Sequence, residues 1–282
     1  MQFPHTFVPT AREVGLLPMV TELVLTAAML AFAAATVFFL AQRTSVHPAH
    51  RAANTLSVVI CLVAGLAYWF IRYYYHDMLQ TLAITHDAVR RRDIVQEAFF
   101  AIGAYRYMDW AVTTPLLLLK MVLVLKVKPR EILGWIALLL GADLWMILAG
   151  FIGDQQFNAG DGTLLTGRHL LWGTLSTVGY LVIPYVLFFR LGPRYGGKSD
   201  DESGHAFRVM ALSTVTLWGV YPLGYLVPAL FKHADLNWVH VAFSVADVVN
   251  KIGVGVVAYM AGAEELARRV PPEAVQSARM AS

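Results

Sequence analysis

Seven stretches of this 282-residue chain, at about 18–42, 54–75, 98–125, 132–153, 164–189, 208–231 and 238–264, are long and apolar enough to cross about 30 Å of hydrocarbon as helices. Inside lipid every backbone N–H and C=O has to be satisfied within its own element, which leaves helices as the solution for segments of this length. The predicted fold is therefore all-α, a seven-transmembrane-helix bundle in one domain spanning 1–282, with lipid as its surroundings. Composition agrees: 57% of residues are hydrophobic and 15% charged, against roughly 25% charged in a soluble domain. An ordinary soluble enzyme is excluded. A net charge of +3 gives no support to a nucleic-acid partner, and the lone Cys61 supplies neither a disulfide nor a multi-cysteine metal site, so no metal is expected. The first segment is too long for a signal-peptide core and lacks a small-residue cleavage site after it, so a retained span is expected.

An odd number of spans puts the termini on opposite sides, and basic residues choose the side. The connectors after spans one, three and five, with the C-terminal tail, carry 12 Lys and Arg (among them Arg43, Lys126, Arg190, Lys198, Arg268 and Arg279), and the other side carries 6 (among them Arg12, Arg90 and Lys232). This bias predicts an external N-terminus and a cytoplasmic C-terminus.

Ionisable groups within the spans cost a few kcal/mol each on insertion scales and point to function. In the third span, YRYMDWAVTTPLLLLK sets Arg106, Asp109, Thr113 and Lys120 on one helical face. Asp109 and Lys120 are roughly 16 Å apart along the axis. In the seventh span, ADVVNKIGVG places Asp247 and Lys251 at i and i+4, again on one face near mid-membrane. Such a pair on a soluble helix is usually an intrahelical ion pair. At mid-bilayer a lysine that cannot snorkel to the surface needs a chemical reason to be there, and an amine in an apolar pocket is the starting material for a Schiff base with an aldehyde. Carboxylates beside it then serve as counter-ions.

These residues resemble a microbial rhodopsin, a seven-helix retinal protein. The likeness covers all seven spans, from R-Y-x-D-W-x-x-T-T-P-L-L-L-L in the third to D-x-x-x-K-x-G-x-G in the seventh. It implies covalent all-trans retinal on Lys251 as a protonated Schiff base. Asp109 becomes primary counter-ion and proton acceptor, Asp247 the second counter-ion, and Arg106 sits on their extracellular side. The WGVYPLGY element of the sixth span implies that Trp218, Tyr221 and Tyr225 line the polyene and that Pro222 bends the helix, with Trp110 as the opposite wall. GADLWMILAG in the fourth span implies an Asp143–Thr114 bond, with Met146 and Gly150 at the ring end beside Ser176 and Thr177 of the fifth. Leu117 matches the family's tuning site, where leucine goes with green absorption.

Asp109, Thr113 and Lys120 are the positions at which family members differ in transport. An acidic acceptor with threonine one turn on resembles the outward proton pumps, and a lysine at the donor position resembles a lysine-donor subset of bacterial pumps. The implied function is a light-driven proton pump in a bacterial inner membrane, an ion transporter and photoreceptor rather than an enzyme. By the same resemblance it forms a homo-oligomer, trimer or pentamer, with no transducer needed. The competing readings are a slow sensory rhodopsin, in which Lys120 snorkels to the headgroups, and a seven-helix receptor or transporter without retinal. Two departures from relatives stand out: Ala67 replaces the second-span histidine of proteobacterial members, with His76 further out, and no external carboxylate pair precedes Asp247. His240, nearby, is expected to be interfacial. Gly173 in the fifth span stands where archaeal pumps have a ring-covering tryptophan, which implies a window for a carotenoid antenna unless a neighbour such as Tyr180 fills it.

Overall fold

The computed structural model describes residues 9–158, 162–196, 202–231 and 233–269. Lys198, Lys232 and Arg279, which contribute to the charge bias, lie outside them. Among the described residues, seven helices are long and apolar enough to cross a membrane: α1 Leu16–Thr44, α2 Pro48–Ile84, α3 Ala88–Val124, α4 Arg130–Asp154, α5 Thr166–Gly196, α6 Glu202–Leu230 and α7 Asn237–Arg268. Consecutive helices pack side by side, and α7 returns against α1 to close the ring. A short antiparallel hairpin, β1 Phe157–Asn158 with β2 Thr163–Leu164, caps the α4–α5 turn.

The polarity of the bundle is the reverse of a soluble protein's. Large apolar side chains such as Leu23, Trp69, Phe189 and Leu212 face outward, whereas Arg106, Asp109, Lys120, Asp143, Asp247 and Lys251 are buried inside. That is the arrangement lipid demands, because the exterior solvent is itself apolar and charges survive where they find partners.

The largest departure from the expected boundaries is at the α2–α3 turn. The spans expected at 54–75 and 98–125 are 37-residue helices meeting at residues 85–87, each about 56 Å long at 1.5 Å per residue and so well beyond the hydrocarbon. Their outer ends are polar, which dilutes hydropathy without breaking the helix. Asp87 accepts from the Arg90 amide at 2.7 Å to start α3. The Arg91 guanidinium donates to the Leu82 and Thr85 carbonyls at 2.6 and 2.8 Å, closing the end of α2.

Two local distortions shape the interior. Pro222 has no N–H to offer the Trp218 carbonyl, and α6 is interrupted at Gly219 between its Glu202–Trp218 and Val220–Leu230 segments. In α7, Val249–Gly253 widens into a π-helical turn centred on Lys251, the kind of irregularity that tends to mark functional sites.

Candidate functional site

The two carboxylates, the amine and the guanidinium picked out by spacing meet in one buried cluster. Lys251 projects from the widened turn of α7 and hydrogen-bonds Asp109 Oδ2 of α3; its Nζ also lies 3.4 Å from Asp247 Oδ1. The two carboxylates are held very differently. Asp247 Oδ1 accepts from the Tyr221 hydroxyl at 2.7 Å and the Trp110 indole at 3.3 Å, and its Oδ2 accepts from the Tyr68 hydroxyl at 2.8 Å. Asp109 takes Lys251 on Oδ2, while its Oδ1 is buried with no hydrogen-bond partner among the described residues. Asp247 is thus bonded on both oxygens, and Asp109 on one.

Arg106 lies on one side of this cluster. It donates to the Tyr68 hydroxyl at 3.1 Å and to Ser244 Oγ at 3.3 Å, stands 3.5 Å from Asp247 Oδ2, and its guanidinium sits 5.5 Å from the ring centres of both Tyr68 and Phe243. On the other side, Thr113 bonds back to the Asp109 carbonyl, and Lys120, fully buried, donates to Ser57 Oγ of α2 at 3.4 Å. Its amine stays inside the bundle rather than snorkelling to the surface.

A cavity of about 290 Å³ runs from Lys251 between α3, α4, α5 and α6. Of the expected pocket residues, Trp110, Thr114, Met146, Gly150, Gly173, Ser176, Thr177, Trp218, Tyr221, Pro222 and Tyr225 line it. Thr114 donates to Asp143 Oδ2 at 2.8 Å and Ser176 to the Met146 carbonyl at 2.7 Å. A methyl group at Gly150 would come within 3.0 Å of the Tyr107 hydroxyl, so glycine keeps that end open.

The structure corrects the expectation for His240 and places three further residues. Leu117, at i+7 from Trp110 on the same face of α3, is fully buried in the core that contains Trp218 and Met121. Asp143 stands behind the wall and reaches the cavity through Thr114. His240 is not interfacial: it is buried, lines the cavity and packs between the rings of Tyr75 and Phe99. The space beside Gly173 is taken by the Tyr225 ring, whose Cε1 would lie 2.5 Å from a methyl group there. Tyr180 instead donates to the Val215 carbonyl.

Sequence reasoning missed Tyr68, which ties Asp247 to Arg106, although it follows directly after Ala67. Its signal was available: Asn54, Ser57, Cys61, Tyr68 and Tyr75 recur on the buried stripe of α2, whereas a search for histidine passes over them. His76 serves elsewhere, 2.9 Å from Glu22 Oε1, which also accepts from Arg72. Among the described residues no cluster of three or more His, Cys, Asp or Glu could hold a metal ion.

Comparisons with known proteins agree with the seven-helix fold. Residues 19–264 match the model of a family described as bacteriorhodopsin-like protein. Bacteriorhodopsin of Halobacterium salinarum is 34% identical over 153 residues, 54% of each chain, so the match spans about half that relative's length. The blue-light absorbing proteorhodopsin of the gamma-proteobacterium Hot 75m4 is 26% identical over 242 residues, 85% of this chain and 84% of its own. The crystallographic structure of xanthorhodopsin, described as a light-driven ion pump with dual chromophore, superposes with a TM-score of 0.73 at 26% identity and covers 88% of this chain and 94% of its own.

Proposed function

The chain belongs to the bacteriorhodopsin-like protein family, and on that premise we propose that it is a light-driven outward proton pump, with retinal held on Lys251, in a bacterial inner membrane. The observation that carries this reading is the asymmetry of the two carboxylates: Asp109 touches Lys251 and keeps one oxygen unpartnered, while Asp247 is held by three neutral donors and two cations. The residues present fit retinal, since a long cavity walled by aromatic side chains ends at one buried amine. Retinal bound covalently at that amine supplies light absorption and the light-driven change that frees the proton of the Lys251 nitrogen.

What the chain does follows from its own atoms. Asp109 Oδ2, already bonded to Lys251, takes the proton, and the open Oδ1 allows the carboxyl to accept it without breaking another bond. Asp247, fixed by Tyr68, Tyr221 and Trp110, stays ionised and balances Arg106. Lys120, two turns beyond Thr113 on the same face and out of contact with solvent, returns a proton to the Lys251 nitrogen from the cytoplasmic side. The sensory alternative leaves this buried amine without a task.

Illuminated cells in unbuffered medium should acidify it, and a protonophore should abolish the signal. No pH change, or one enhanced by the protonophore, would overturn outward pumping; an unchanged pH together with a slow photocycle would favour the sensory reading.

A second chromophore is a narrower reading with its own observation. The Tyr225 ring covers Gly173 itself, but Thr174 and Thr177 line the cavity and are exposed on α5, so past that ring the cavity reaches the lipid-facing surface. A hydroxylated carotenoid added to the pigment should show sharpened vibronic bands and energy transfer in the excitation spectrum of the primary pigment. Gly173→Trp, with that pigment's own band retained, should abolish both. Bands that survive in Gly173→Trp would place the carotenoid elsewhere.

A further inference from the structure

The geometry points to a proton-uptake path along α2, in which Glu265 and His50 collect protons at the cytoplasmic mouth and water held by Asn54 Oδ1 and Ser57 Oγ carries them to Lys120; it rests on the pump reading above. His50, Asn54 and Ser57 follow one another at spacings of four and three residues, so they share one face of the helix, and all three are buried. The stripe ends at Lys120, which donates to Ser57 Oγ at 3.4 Å. Polar side chains buried in a membrane helix are costly unless bonded or used, yet His50 Nδ1 and Asn54 Oδ1 are both buried without a partner among the described residues. These two atoms stand between the mouth and Ser57.

At the other end His50 Nε2 meets Glu265 Oε2 of α7 at 2.9 Å. Glu265 also accepts from Lys126, just past the end of α3, at 2.6 Å, and His47 Nδ1 of the α1–α2 connector lies 3.5 Å from its Oε1. Among the described residues, Glu265, Lys126 and His47 are the titratable groups that act on His50. The Glu265 side chain is 16% exposed against 1% for His50, so the carboxylate meets solvent and the imidazole bridges it to the interior.

The transfer involves only protons. An imidazole takes a proton on one ring nitrogen and releases one from the other, here from the Glu265 side on Nε2 toward the interior on Nδ1. The Asn54 amide is fixed by donation from Nδ2 to the Phe39 carbonyl at 2.8 Å, which leaves Oδ1 as an acceptor that anchors a water between His50 and Ser57; that water, not the amide, passes the proton. His50 and Ser57 are about 10 Å apart along the axis, a gap that Asn54 divides. The Ser57 hydroxyl donates to the Ala53 carbonyl at 3.3 Å and its oxygen accepts from Lys120, so it orients the end of the path, and a neutral Lys120 amine takes the proton from the last water and ends as the ammonium. No other bond forms or breaks.

A clamp tying α2, α3 and α7 together would use the same contacts, so the test reads proton movement rather than stability. After a flash on the retinal-loaded protein in lipid vesicles, the return of the proton to the Lys251 nitrogen is followed by absorbance and uptake by a pH indicator, between about pH 5 and 9. Glu265→Gln should slow both several-fold at high pH, the difference closing toward low pH, and a small diffusible weak acid should restore the rate. Added to Lys120→Ala, it should slow nothing further. Should Glu265→Gln lose its pigment, Asn54→Leu carries the same comparison, because it replaces the water-anchoring amide with a side chain of similar volume. If Lys120→Ala slows the return but Glu265→Gln and Asn54→Leu follow the unmodified protein at every pH, the path is overturned and the pump stands. If Lys120→Ala itself changes nothing, the donor role fails and the path with it.

Discussion

Lys251→Ala, expressed with retinal, should give a colourless protein that moves no protons in light, while Lys120→Ala, which removes the other buried lysine among the described residues, should keep its colour. The expectation follows from where the two amines lie. Lys251 opens into the cavity between the aromatic walls, whereas Lys120 faces Ser57 outside it. A visible band in purified Lys251→Ala that resists removal with the lipid would place the chromophore elsewhere and sink the assignment.

The same substitution has a structural cost that can be measured independently. Lys251 is the cation between Asp109 and Asp247, and removing one partner of a buried ion pair typically costs about 3–5 kcal/mol because the remaining charge is left uncompensated. Asp247 keeps Arg106, Tyr68, Tyr221 and Trp110. Asp109 keeps nothing equivalent and should respond by taking a proton. Thermal unfolding of the apoprotein should therefore show Lys251→Ala destabilised, with much of the loss recovered in Lys251→Ala/Asp109→Asn. Equal stability of the single and double variants would mean that the Asp109 charge is compensated by other groups.

How far the site could be read from the chain depends on what kind of information each residue carries. Arg106, Asp109, Asp247 and Lys251 were legible because a charge within an apolar run is conspicuous, and helical spacing alone puts each pair on one face. The Thr114–Asp143 bond depends on two helices meeting, and it came through the family resemblance rather than through spacing. Tyr68 was not legible as a site residue, since a tyrosine in a membrane helix is more often packing, and only its approach to Asp247 shows otherwise. His240 is illegible for a related reason: the depth at which it sits is set by local helix rotation and crossing, which periodicity fixes only to within part of a turn. The ends of α2 and α3 were drawn too short because hydropathy reports where lipid ends, not where the backbone stops bonding. The π-helical turn at Lys251 has no sequence signal that we can name.

Asp109→Asn should red-shift the pigment and stop transport, two effects with separate causes. The positive charge at the Lys251 nitrogen is stabilised in the dark by a carboxylate in direct contact. Two unit charges about 4 Å apart interact by roughly 4 kcal/mol at an effective dielectric of 20. Excitation moves positive charge away from that nitrogen, so losing the carboxylate raises the ground state more than the excited state and lowers the excitation energy by part of this amount. Transport stops because a neutral amide cannot take the proton, and Asp247, its oxygens already accepting from Tyr68, Tyr221 and Trp110, is poorly placed to substitute. The absorption spectrum and the light-induced pH change of the same preparation check both. A red shift with transport intact would make Asp109 a counter-ion only and move the acceptor elsewhere; an unshifted spectrum would remove it from the counter-ion role altogether.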